Sequence, residues 1–312
     1  MSARLASAAQ SWWFRLVVTV AILGYLARQI DMRAAARAVA NVDLTLLLVV
    51  LALVALDRAL MILRWLLLLR ASGTDISATG AARIFLVSSF VGSFLPAGIG
   101  SDAARAYGLS ARAASGSEAV ASVAVDRLLG VLSLVTIGVA GLLAWAPPVQ
   151  GRWSMVAAIV LLVLAPVSAF WADRLVRALV PLRLHEARIA RRLLKVSDAV
   201  SRYRDRRGVL VHVMAWSFAV QLLRILQAFL LGRGLGIDVA FFYYLVFMPI
   251  GLLMLLLPIS VSGFGLPQGI IVWLLRPVGV PDERSFALST LIVLTGVAGN
   301  LPGLWLWLRR RN

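Results

Sequence analysis

Leu95-Pro96-Ala97-Gly98-Ile99-Gly100-Ser101-Asp102-Ala103-Ala104-Arg105 and Leu257-Pro258-Ile259-Ser260-Val261-Ser262-Gly263-Phe264-Gly265-Leu266-Pro267-Gln268 are two versions of one pattern. In each, an apolar run stops at Leu-Pro, passes through a Gly/Ser-rich turn and resumes as a second short apolar run. Proline removes a backbone donor and clashes with the preceding helical turn, so each run must break there. The glycines Gly98, Gly100, Gly263 and Gly265 let the backbone turn and be approached closely. The breaks occupy corresponding places in the two halves of the chain. In a membrane protein, paired interruptions of this kind mark the place where a binding site is built.

The surroundings of the breaks decide that a membrane is the solvent. The 312 residues are 61% hydrophobic, with a mean hydropathy of +0.92. A soluble protein is about 45–50% apolar, and a chain of this size cannot bury the excess in water. Runs of about 20 apolar residues, enough to span, lie near 12–30, 44–69, 119–146, 153–172, 209–236 and 285–308. Regions 81–112 and 240–276 carry the breaks and are expected to form re-entrant pairs of half-length helices. The expected fold is an all-α polytopic membrane protein with about six full spans and two broken-helix hairpins. A single integral domain, 1–312, is expected. Its first half is 1–172, a basic linker is 173–208, and its second half is 209–312.

The charge distribution gives the topology. The formal charge is +17, and Lys195 is the only lysine. Segment 173–208 holds 11 basic residues against Asp173, Glu186, Asp198 and Asp205. Leu182, Ile189, Leu193, Val196 and Val200 recur there at helical spacing, as expected of a basic amphipathic helix on anionic inner-leaflet lipid. That segment and Arg309–Arg311 are expected on the cytoplasmic side. With the hairpins not crossing, the N-terminus is cytoplasmic too, and outer loops 31–43 and 276–284 are near neutral. The first hairpin then enters from the cytoplasm and the second from outside, so the halves form an inverted repeat. The expected location is an inner (plasma) membrane.

Several function classes lose support. Cysteine is absent and only His185 and His212 are present, so no metal centre or thiolate nucleophile is expected. The lone lysine sits in Leu-Lys-Val, outside any phosphate-loop motif. Basic charge beside apolar spans points to lipid headgroups rather than nucleic acid. No catalytic motif and no cofactor are expected.

Charged residues inside apolar spans cost about 2.5–3.5 kcal/mol even on the gentlest scale, so they must face protein or a wet cavity. Asp57, Arg58 and Arg64 lie in the second span, with Asp57, Met61 and Arg64 on one face. Asp102 and Arg105 follow the first break. Asp126 and Arg127 lie about 12 Å into the third span, and Asp126 with Arg105, or Arg127 with Asp102, are candidate pairs. Gln221, Arg224 and Gln227 form a stripe in the span 209–236. Arg224 is the leading candidate for contact with an anionic lipid, with Asp57 or Asp126 as the alternative partner. Ser260, Ser262 and Gln268 supply neutral hydrogen bonds at the second break. The candidate substrate contacts are therefore Arg105, Asp102, Arg224, Gln221, Asp126, Arg127, Ser260, Ser262 and Gln268. The hinge positions are Pro96, Gly98, Gly100, Pro258, Gly263 and Gly265.

At its breaks the sequence resembles the flippase-like membrane domain of the lysylphosphatidylglycerol synthase family. Leu95, Pro96, Gly100, Asp102 and Arg105 match a first motif and Asp126-Arg127 a second. Pro258, Ser260, Ser262, Gly263, Gly265 and Gln268 match a third, in which Gln268 replaces the usual acid. No counterpart of the family's soluble aminoacyl-transferase domain is expected in these 312 residues. The resemblance implies movement of an anionic, polyprenyl or glycosylated lipid between leaflets without lysyl transfer. A membrane-embedded transferase, or a non-catalytic partner in envelope lipid, glycolipid or hopanoid synthesis, is the alternative. A homo-oligomer and an envelope-enzyme partner both stay open.

Overall fold

A computed structural model describes residues 12–95, 100–110, 116–145, 198, 203, 206–254 and 265–309. Among these, every element is helical: α1 (Trp12–Gln29), α2 (Met32–Ala40), α3 (Leu44–Ala71), α4 (Ala78–Gly92), α5 (Gly100–Ser110), α6 (Gly116–Trp145), α7 (Arg207–Gly234), α8 (Phe241–Met254), α9 (Leu266–Leu275), α10 (Asp282–Ala298) and α11 (Leu301–Leu308). Among the described residues, four stretches are long and apolar enough to cross a membrane: Leu44–Ala71, Gly116–Leu142, Arg207–Gly234 and Asp282–Leu308. The expected span 153–172, most of the basic linker 173–208, and both Leu-Pro turns (96–99 and 258–264) lie outside the described residues.

The long helices are built inside out relative to a soluble protein. Along α3, Leu44, Leu48, Val49, Leu51, Leu56 and Leu63 are exposed while Asp57 and Arg64 are buried. Water would reverse that arrangement; lipid requires it.

The arms flanking the breaks are short. α8 and α9 hold 14 and 10 residues, about 21 and 15 Å at 1.5 Å per residue, against a hydrocarbon core of about 30 Å. They run antiparallel. Near one end Tyr243 Oη donates to the Leu274 carbonyl, and farther along Gly251 faces Ile271. α4 and α5 hold 15 and 11 residues.

The expected span 285–308 falls within the membrane-length stretch Asp282–Leu308. It is two helices, α10 and α11, separated by Gly299 and Asn300. Pro302 has no N–H to continue the ladder. The chain responds by tightening, and the Asn300 N–H donates to the Val297 carbonyl, three residues back, at 2.9 Å.

The chain divides into two compact units. The first comprises Met1–Arg58, Leu86–Ala104 and Leu222–Asn312, the second Ala59–Phe85 and Arg105–Gln221. In the first, Leu26, Ile30, Ala35 and Val272 form a buried cluster with Ile22 and Phe286, tying α1, α2, α9 and α10 together. In the second, Trp65, Leu66, Leu69, Phe85 and Leu109 make one cluster. Leu68, Ala121, Val125, Leu129 and Val213 make another.

Candidate functional site

The first unit contains a mostly apolar cavity of about 290 Å³ whose polar lining residues include Asp57, Arg58, Ser93, Arg224, Gln227 and Asn300. Its centre is one carboxylate shared by two guanidinium groups. Arg58 Nη1 donates to Asp57 Oδ2 at 3.0 Å and Arg224 Nε donates to Asp57 Oδ1 at 3.1 Å. The Asp57 side chain is 4% exposed, against 17% for Arg58 and 26% for Arg224. All three line the cavity, with the acid buried more deeply than the two cations. Neighbouring residues on a helix point about 100° apart, yet the long Arg58 stem carries its head group back to Asp57.

The break between α10 and α11 helps to build this cavity. Since the Asn300 N–H turns to Val297, the Gly296 carbonyl does not receive it, and Arg58 Nη2 donates to that oxygen at 3.2 Å. Asn300 Nδ2 donates to Ser93 Oγ at 2.9 Å, and the Ser93 hydroxyl donates to the Ser89 carbonyl at 3.1 Å. With the serine hydrogen so committed, the amide of Asn300 must present its NH₂ to Ser93. Asn300 Oδ1 is left buried without a hydrogen-bond partner, as is Gln227 Nε2.

The second unit holds another carboxylate between two arginines, and this one is dry. Arg64 Nε and Arg105 Nη1 donate to Asp126 Oδ1 and Oδ2 at 2.8 and 3.0 Å. The three side chains are each 5% exposed. Arg64 Nη1 also donates to Ser217 Oγ at 3.1 Å. The Arg105 guanidinium lies 4.6 Å from the Phe85 ring centre and 5.4 Å from that of Trp65, within cation–π range. Gln221 Nε2 donates to the Gly130 carbonyl at 3.0 Å. Both hydrogen-bonding edges of Asp126 are occupied and no cavity lining includes it among the described pockets. Its geometry is that of a cross-helix clamp.

The candidates from the sequence therefore separate. Arg105 and Asp126 meet, joined by Arg64. Gln221 belongs to the second unit, whereas Arg224, from the same stripe, belongs to the first and takes Asp57 as partner. Asp102 and Arg127 are half-buried on α5 and α6. Gln268 is 1% exposed and caps α9: the Gly265 N–H donates to its Oε1 at 2.7 Å. Gly265 has φ of 95°, a conformation costly for any other residue. Gln268→Leu should destabilise the fold by about 1 kcal/mol, the worth of a helix cap, as a lowered melting temperature in detergent; unchanged melting would remove the capping role. Pro96, Gly98, Pro258, Ser260, Ser262 and Gly263 lie outside the described residues, while Gly100 opens α5. Ser93, Asn300 and Ser217 escaped the sequence reading. The Asn300-Leu301-Pro302 break was the available signal for Asn300.

The family model for the lysylphosphatidylglycerol synthase transmembrane region matches residues 12–303. No curated protein sequence matches the chain.

Proposed function

Since the chain belongs to the family of the lysylphosphatidylglycerol synthase transmembrane region, with nearly all of it matched, we propose that this multi-pass membrane protein moves a lipid with an anionic headgroup between leaflets. The cavity of the first unit is where the headgroup is held. The observation that carries this reading is the Arg224–Asp57–Arg58 centre, lining a cavity among helices of membrane-spanning length. Ionised side chains at such depth are retained where they contact a substrate or one another, and here they do the second while the cations still reach the space. The planar arginine fork suits phosphate oxygens. Short arms at the two breaks fit re-entrant hairpins, in which irregular backbone is tolerated only against protein or a cavity. The expected inverted repeat belongs to the same proposal.

The test is reconstitution into liposomes with headgroup-labelled phospholipid. Arg224→Ala should slow headgroup movement by about tenfold or more, the loss of a charge-assisted contact. Its fold should survive, because Asp57 keeps Arg58 at 3.0 Å. Arg224→Lys should recover only part of the rate, since an ammonium cannot reproduce the fork. Unchanged movement in Arg224→Ala would overturn the assignment. A covalently altered lipid appearing in the same vesicles would favour a membrane-embedded transferase instead.

A further inference from the structure

The first unit has a second cavity, of about 450 Å³. Its lining includes Arg37 and Asn41 from the end of α2, Gly234 and Leu235 from the end of α7, and Glu283 and Arg284 from the start of α10. It lies about one turn beyond the first cavity along α7, since Leu231 lines that one and Gly234 this one. The rise from Arg224 to Gly234 is about 15 Å at 1.5 Å per residue, half of a hydrocarbon core of about 30 Å. The Asp43 N–H donates to the Gly234 carbonyl at 3.1 Å, so α3 begins at this end too. Loops 31–43 and 276–284, expected on the outer side, belong to it.

The charges around this cavity are held but not paired off. Elsewhere at this end Arg233 bonds Asp238 and Arg276 bonds Asp282. Arg37 and Arg284 take carbonyls instead. Arg37 Nε donates to the Arg33 carbonyl at 3.3 Å, and Arg284 Nη1 to the Gly236 carbonyl at 2.8 Å. Glu283 shares the lining and pairs with neither among the described residues. A guanidinium has five N–H groups, so each arginine is fixed at one nitrogen and keeps others for the cavity. The helix under Arg37 is anchored as well. Ala35 is buried with Leu26, Ile30 and Val272, and the Asp31 carboxylate accepts the Arg33 and Ala34 N–H groups at 2.8 and 3.0 Å.

Two guanidinium forks from different helices around one concavity suit phosphate oxygens. The Glu283 carboxylate disfavours a bare phosphate and accepts a hydrogen bond from a donor beside it. The volume lies within the usual range of ligand pockets, roughly 300–1,000 Å³. We infer that this cavity is a second headgroup site, for a phosphate ester with a neighbouring hydrogen-bond donor. Arg37 and Arg284 take the phosphate, and Glu283 takes the donor. The inference rests on the reading that the protein moves such a lipid, and it places a holding point half a membrane away from Arg224.

The test is calorimetric titration of the full chain in mild detergent. One titrant is glycerophosphoglycerol, the soluble headgroup of phosphatidylglycerol; the other is inorganic phosphate. The ester should bind more tightly by about three- to tenfold, the worth of one hydrogen bond. Arg37→Gln combined with Arg284→Gln should weaken it by about tenfold or more. Glu283→Gln should bring phosphate level with the ester. Arg33→Gln removes an exposed cation outside the lining and should change nothing; an equal loss there would assign binding to diffuse surface charge and overturn the site. Wild-type binding by the double variant would also overturn it. Phosphate bound as tightly as the ester by the unaltered chain would leave an inorganic-anion site and overturn the headgroup assignment. Should the double variant melt early, Arg37→Gln alone decides, with a loss of about threefold expected. In liposomes the double variant should slow headgroup movement by about threefold or more. Wild-type movement with binding lost would overturn the holding point and leave the Arg224 reading standing. Movement lost in the double variant but unchanged in Arg224→Ala would overturn the Arg224 reading and leave this one.

Discussion

Asp126→Ala is expected to be the most damaging single change in the protein, lowering stability by about 3–5 kcal/mol, the cost of stranding buried charge. The substitution removes the acceptor of Arg64 at 2.8 Å and of Arg105 at 3.0 Å together. Both guanidinium groups would remain buried, Arg105 against the Phe85 and Trp65 rings and Arg64 with only the Ser217 hydroxyl beside it. Melting in detergent should fall steeply or the protein should fail to accumulate. The triple variant Arg64→Met, Arg105→Met, Asp126→Leu should regain much of the loss, because an apolar set of similar volume replaces the ions without orphans. Wild-type melting of Asp126→Ala would show that the clamp contributes little. A triple variant no better than the single would show that packing, not stranded charge, causes the damage.

The second large effect is expected at Gly303. A Cβ there would overlap the carbonyl of Leu86 and crowd Phe90. The obstruction is backbone, so no rotamer change relieves it. Gly303→Ala should cost about 1–3 kcal/mol by overpacking and loosen the Asn300–Ser93 bond next to it. Gly24→Ala provides the contrast. Nothing lies within 4 Å of a Cβ at that position, so the change should be neutral or slightly stabilising through helix propensity. Equal melting of the two variants would remove the close-packing account of Gly303.

Hydropathy and proline position made most of the helices legible in advance. Expected spans 44–69, 119–146 and 209–236 correspond to Leu44–Ala71, Gly116–Trp145 and Arg207–Gly234, because bilayer thickness leaves few ways to place a long apolar run. The split of the last span was written in Asn300-Leu301-Pro302 but was masked by the apolar residues on both sides. Partner choice was harder. The Asp126–Arg105 pair was foreseen as a candidate, yet Arg64 seemed to share a face with Asp57. Periodicity gives the direction of a side chain on its own helix, not the neighbour it meets. Over the 28 residues of α3, Asp57 and Arg64 found different partners through different packing. Ser93 and Asn300 resemble ordinary turn residues in sequence; only packing turns them into cavity wall.

The spacing of the buried charges along the chain has a consequence for how the protein is made. Asp57 and Arg58 are adjacent and bonded at 3.0 Å, so that carboxylate has its counter-ion from the moment its helix emerges. Arg224 follows 167 residues after Asp57 and joins a pair already neutral. Arg64 has no such help, for Asp126 comes 62 residues later. At roughly 5–20 residues per second, α3 waits several seconds with a lone cation before its acid is synthesised. Nascent α3 must therefore stay where water or the insertion machinery can shield Arg64, and the arrival of α6 releases it into lipid.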